Sequence, residues 1–196
     1  RLQQILFSKE RPIVRVLGNP RYDQVKLKAD NFTQERTESV LLRSKRLVIG
    51  SVHTEDQNII LDSIISLMRE IDDLSLIWAL HEPLDRDVNT VISIFESKQL
   101  SVERLGYRQP KDVDARVVIV DSIGLLSQLY WDGQMAYVGG GFSKGVHSIL
   151  EPAIYNCSLL CGPNIEMLDE AKELAKNNYL NIIKNSEMLY EQLSNK

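Results

Sequence analysis

Along the whole chain, short runs of β-branched and other apolar residues alternate with longer stretches in which apolar residues recur every three or four positions. The short runs read as strands: PIVRVLG (12–18), RLVIGS (46–51), SLIWAL (75–80), RVVIVD (116–121), MAYVGG (135–140), SLLCG (158–162) and LNIIK (180–184). The longer ones read as helices over 31–44, 56–71, 84–99, 123–132, 148–156, 166–177 and 186–194. Repeated βα units predict an α/β protein, a Rossmann-like, doubly wound and mostly parallel sheet with helices on both faces. Polar residues at the expected helix starts agree: Thr54 with Gln57 as a capping box, Asp121 or Ser122 after the fourth run, and Ser186 before the last helix. With no internal repeat and no long linker, one domain over 12–196 is expected. Residues 1–11 begin without methionine inside a helical pattern, RLQQILF, and read as a lead-in from a missing N-terminal domain.

Open α/β sheets bind ligands beyond the carboxyl ends of their strands. The residues at those ends are Gly18-Asn19, Gly50-Ser51-Val52-His53, His81-Glu82, Asp121-Ser122, the loop 139–147, and Gly162-Pro163-Asn164. All three histidines of the chain, His53, His81 and His147, fall among them.

The densest chemistry is in YVGGGFSKGVHSILEP (137–152). Glycine is costly to order, so Gly139, Gly140 and Gly141 need a reason, and the expectation is close approach of the backbone to a ligand. A helix starting within HSILEP would turn its N–H groups toward the same place, an anion site to which Lys144 adds a cation. Pro152 limits where that helix begins. His147 and Glu151, four apart, would share its polar face, with Ile149, Leu150, Ala153, Ile154 and Cys157 on the buried one. Glu151 is placed to accept ribose hydroxyls, although Ser148 and Glu151 also fit a capping box. His53 and His81 read either as structural histidines or as site residues. A metal held by the three histidines with Glu55 or Glu82 lacks any HxH or HExxH spacing, so none is expected. Trp78 and Trp131 read as core. Neither GxGxxG nor a P-loop occurs, which argues against a nicotinamide cofactor and NTP hydrolysis.

Composition narrows the partners. The 196 residues are 43% apolar, enough for a substantial core, and carry a net charge of −4 with acids and bases interspersed, which disfavours nucleic acid. The basic cluster Arg43, Lys45 and Arg46 reads as a solvated helix end. Cys157 and Cys161 would stand roughly 13 Å apart on an extended segment, too far to bridge, and suit a reducing compartment. No apolar run reaches transmembrane length.

The motifs GNPRYDQV (18–25), GSVHTED (50–56), ALHEP (79–83), DSIGLLSQLY (121–130) and YVGGGFSKGVHSILEPAIYNCSLLCGP (137–163) resemble those of the Kdo (3-deoxy-D-manno-octulosonic acid) transferases of lipopolysaccharide biosynthesis, in their C-terminal half. The resemblance implies one half of a GT-B glycosyltransferase, the domain that holds the donor CMP-Kdo. Gly139, Gly140, Gly141, Lys144, Gly145, His147, Ser148 and Glu151 would contact the donor, with Ser51 and His81 on the opposite wall. It further implies inverting transfer of Kdo to a lipid A precursor, with no cofactor and no metal at the reacting centre. The general base and the membrane-associating surface would belong to the N-terminal domain, at the cytoplasmic face of the bacterial inner membrane. Two positions depart from the common pattern, Gly145-Val146-His147-Ser148 where Gly-Gly-His-Asn is frequent, and Leu80 where an arginine is frequent. Two other readings keep the fold: the nucleotide half of a UDP-sugar glycosyltransferase or epimerase, and a non-catalytic interaction module whose glycines serve tight turns. A metal-dependent hydrolase is a more distant one.

Overall fold

A computed structural model describes residues 18–35, 45–106 and 115–194. Seven strands form one sheet: β1 (Lys45–Val52), β2 (Leu74–Leu80), β3 (Val102–Leu105), β4 (Val117–Val120), β5 (Met135–Val138), β6 (Ser158–Cys161) and β7 (Leu180–Ile182). Their spatial order is β3-β4-β2-β1-β5-β6-β7, and every neighbouring pair is parallel. The chain therefore builds outward from β1 through β2 to β4 and β3, then returns to the other side of β1 to lay down β5, β6 and β7. The reversal falls between β1 and β5.

The helices are α1 (Pro20–Glu35), α2 (Thr54–Glu70), α3 (Asp85–Ser97), α4 (Leu126–Leu129), which runs into a 3₁₀ turn (Tyr130–Asp132), α5 (Leu150–Ile154), α6 (Asp169–Lys176) and α7 (Ser186–Ser194). Side chains alternate across a strand, and the sheet carries a separate core on each face. Leu47, Ile49, Leu76 and Trp78 meet α2, α3 and α7 through Ile60, Ile64, Phe95 and Leu189. Val48, Ile77, Val118 and Val138 point the other way, onto Leu129, Tyr130, Ile149 and Ala171. The expected doubly wound sheet is thus present, covered on both sides.

Several local expectations shift. The runs 12–17 and 36–44 lie outside the described residues, and the first described helix spans Pro20–Glu35, starting before the expected 31. Pro20 takes its first position, where a missing N–H costs nothing, and the Asn19 side chain accepts from Arg21 N–H at 3.0 Å. Lys45 and Arg46 open β1 instead of ending a helix. Strand β3 has the sequence VERL, whose alternating charges hide it from an apolar search; it is an edge strand, and an edge tolerates them. The caps differ as well: Asn185 accepts from Met188 N–H at 2.9 Å in place of Ser186, and the Asp121 carboxylate pairs with Arg104 from β3. Trp78 is fully buried and Trp131 half-buried.

Candidate functional site

The turn from β1 into α2 is built around one carboxylate. Asp56 is fully buried, and its oxygens accept from His53 N–H at 3.1 Å, Gly140 N–H at 2.7 Å and the Tyr137 hydroxyl at 2.9 Å, with Phe142 N–H at 3.4 Å. A buried carboxylate is tolerated when donors surround it, and here they come from both sides of the switch point. Asp56 therefore ties the loop after β5 to the start of α2. In sequence it sits inside an apparent Thr54/Gln57 cap; the cap pair is instead His53 with Asp56, one position earlier.

The glycines have a packing use that the sequence did not show. A Cβ on Gly139 would strike the Ser51 carbonyl, on Gly140 the Gly145 carbonyl, and on Gly141 the Gly162 backbone. Gly140 also has φ +89°, open to glycine alone at little cost. The three residues let the loops after β1, β5 and β6 meet backbone to backbone. Much of the loop's donor capacity is consumed internally: Gly139 N–H to the Gly50 carbonyl, Gly145 N–H to that of Gly140, and His147 N–H to that of Gly139. Ser51 adopts φ 55° within an irregularity of β1 that ends the regular register with β2 at Ile49.

Helix α5 begins at Leu150, has five residues and is preceded by Ile149 without a side-chain cap. The Ser148/Glu151 capping box is not formed, and His147 lies outside the helix, so His147 and Glu151 do not share a helical face. Pro152 falls in the first turn, as expected. Ile149 and Leu150 are buried, whereas Ile154, expected on the buried side, is exposed against the cavity beside α1.

The three histidines converge. His53 and His147 meet head-on, Nε2 to Nε2 at 2.7 Å, with their rings within 5° of parallel and centroids 5.0 Å apart. One ring donates and the other accepts. The His81 ring lies across this junction, 4.3 Å and 4.4 Å from the two centroids and tilted by 20° and 23°. Burial, followed by the neighbouring imidazoles, pushes the pKa of His147 down; burial and then His53 do the same for His81. His81 and His147 are thereby biased toward their uncharged forms.

Two cavities adjoin the loop after β5. One, of about 470 Å³, is lined by His53, His81, Glu82, Leu80, Asp87 and Lys144. The other, of about 560 Å³, lies between α1 and the α4–α5 side and is lined by Ser148, Glu151, Ser127, Gln128, Arg21 and Lys28. The anticipated site residues therefore divide: His81 and Lys144 face one space, Ser148 and Glu151 the other, and Ser51, Gly139, Gly140, Gly141, Gly145 and His147 line neither. Burial raises the Glu151 pKa, opposed by Lys28 and Arg21. The α1 contribution was missed in sequence because GNPRYDQV supported the resemblance without giving Arg21 a site role, and Lys28 lies beyond that motif. Arg21 itself is ion-paired at 2.7 Å with the buried Glu170 of α6. Cys157 and Cys161 are both free and buried, with thiols pushed up to about 12 by burial.

A parallel sheet with its ligand-sized spaces at the topological switch point defines a Rossmann-like α/β domain. Comparison narrows the class. The chain is 27% identical over 179 residues to a 3-deoxy-D-manno-octulosonic acid transferase of Rickettsia felis, an alignment covering 91% of this chain and 38% of that protein. It is 34% identical over 131 residues to the transferase of the same name from Chlamydia pneumoniae, covering 65% of this chain and 28% of the relative. Among solved structures, the C-terminal CMP-Kdo binding domain of WaaA from Acinetobacter baumannii superposes with a TM-score of 0.68 at 22% identity, over 88% of each chain. No protein-family model matches. The likeness to Kdo transferases carried by the motifs thus extends along nearly the whole chain, and the fold is shared with that C-terminal domain. The chain spans less than two-fifths of the length of these curated relatives.

Proposed function

We propose that the chain is the donor-binding domain of a glycosyltransferase that moves Kdo from CMP-Kdo to a lipid A precursor, an activity belonging to a longer protein. The observation that carries this reading is the pair of cavities flanking one loop at the switch point, in a chain similar to Kdo transferases over 91% of its length. A nucleotide-linked acidic sugar has two ends with different needs. The nucleoside belongs in the cavity beside α1, where Glu151 and Ser148 accept and donate to ribose hydroxyls. The phosphate and sugar carboxylate belong beside Lys144 and His81, where an ammonium and imidazole N–H groups meet negative charge. Gly139, Gly140, Gly141 and Gly145 shape the loop that carries Lys144 to one cavity and Ser148 to the other, and the Ser51 carbonyl packs against that loop at Gly139. Leu80, where related sequences often carry arginine, leaves Lys144 as the cation lining the first cavity among the described residues.

Such a domain binds and orients the donor but offers only one wall of a cleft, so it neither excludes water nor positions an acceptor. The membrane contact and general base are assigned to the remainder of the protein, at the cytoplasmic face of the inner membrane. Calorimetric titration of the chain with CMP, UMP and UDP tests the reading. CMP should bind preferentially, Lys144→Ala and Glu151→Ala should each weaken it by about ten-fold, and CMP-Kdo with a lipid A precursor should not be turned over. Preference for UDP would move the chain to the UDP-sugar enzymes, and indifference of every nucleotide to both substitutions would leave an interaction module.

A further inference from the structure

We propose that His53, His81 and His147 form a binding site for a divalent transition-metal ion of the zinc class. This goes beyond the donor reading and stands without it. The ligand-capable atoms of the three rings all lie within 4.8 Å of one another. They come from three loops, after β1, β2 and β5, so no short sequence spacing could announce them. The expectation that no metal binds rested on that missing spacing and on the resemblance to Kdo transferases; sequence spacing has no bearing on ligands brought together by the fold.

The geometry of the pair His53 and His147 is the main argument. Two Nε2 atoms facing each other at 2.7 Å, in nearly coplanar rings, direct their lone pairs at one point. That point holds a single shared proton. A metal ion replaces such a proton when the nitrogens separate to about 3.3 Å, the spacing that tetrahedral bonds of about 2.0–2.1 Å require, and both rings tilt off their shared line so that each lone pair turns to the ion. Both rings are carried on anchored backbone: His53 N–H donates to Asp56 and His147 N–H to the Gly139 carbonyl. His81 is exposed and already lies over the junction, so rotation of its side chain brings a third nitrogen to the ion. Its backbone is fixed by a bond from His81 N–H to the Val52 carbonyl at 3.0 Å.

Three imidazoles without a carboxylate select zinc, nickel or copper over magnesium and calcium, which prefer oxygen. Asp56, the nearest buried carboxylate, already accepts from four donors and is not counted as a ligand. Three protein ligands leave one position open, and it faces the cavity that Lys144 and Glu82 rim. An anionic oxygen is the ligand class that completes the sphere.

The test uses the 196-residue chain stripped with chelator, dialysed against zinc chloride and then against metal-free buffer, with bound metal measured by mass spectrometry. One equivalent should remain, and cobalt(II) loading should give the intense visible absorption of a tetrahedral nitrogen-rich site. His81→Ala, at an exposed position that the fold does not need, and His53→Ala should each weaken binding by about ten-fold or more, at least the effect of losing an outer-sphere partner. Circular dichroism and thermal melting report that each variant is folded. Retention of substoichiometric metal by the unsubstituted chain, or equal zinc affinity in both folded variants, overturns the proposal. Neither result depends on nucleotide binding, so failure here leaves the donor reading standing.

Discussion

Asp56 shows how much one side chain can settle. Its two oxygens join the loop after β5, the hydroxyl of Tyr137 in the β5 strand, and the turn that carries His53. Replacing it by alanine leaves buried donors with no acceptor, so Asp56→Ala should lower unfolding free energy by about 2–4 kcal/mol, read as a shift of the urea midpoint at unchanged slope. Glu151 makes the opposite case, since its place disfavours its charge. Burial raises its folded pKa, so its contribution to stability is fully present below the ordinary carboxylate range and is lost as pH rises through the folded value. Glu151→Gln, which removes that charge, should therefore melt at a higher temperature than the unsubstituted chain at pH 7, and the advantage should vanish on acidification below the ordinary range. The same variant should bind CMP more weakly, because an amide is a poorer acceptor for a ribose diol.

At the scale of elements, the central strands β1, β2 and β5 are paired on both edges, and their side chains fill both cores. Strands β3 and β7 are edges, four and three residues long. Amide hydrogen exchange should be slowest in 47–50, 76–79 and 135–138 and faster in β3 and β7, as measured by mass spectrometry on peptic fragments. Uniform protection across the sheet would contradict this ranking. Legibility in the sequence followed the same division. Runs such as RLVIGS and SLIWAL announce strands because burial on both faces demands apolar residues throughout. VERL does not, because an edge strand carrying Arg104 to Asp85 and Asp121 is half polar by design of its position. Helix α5 was misread in length because the chain just before it is held as loop, with Val146 N–H on the Asn164 carbonyl and His147 N–H on that of Gly139, contacts that periodicity cannot see.

For the molecule as a whole, the list of strand ends assembled from sequence contained all three histidines and the glycines of the loop after β5, because a parallel sheet directs all those ends to one side. What the list could not give was their partition. Glu151 and Lys144 stand seven positions apart in the chain and face different cavities, and the helix that completes the second cavity, α1, is more than a hundred residues away in sequence. The glycines admit neighbouring backbone, a packing reason that the run of glycines alone does not show, and so act through the loops they bring together.

The chain's pattern by itself determined the α/β class, the central strands, the side of the sheet that carries chemistry and the likeness to Kdo transferases, because periodicity, strand-end residues and motifs are local properties written in consecutive positions. Only the tertiary structure decided the strand order with its reversal beside β1, the meeting of three histidines over one junction, the four-donor seat of Asp56 and the split into two cavities. Those depend on which distant segments pack together, and packing is settled by the burial of two complementary faces along the entire sheet, a sum over many residues that no single stretch contains.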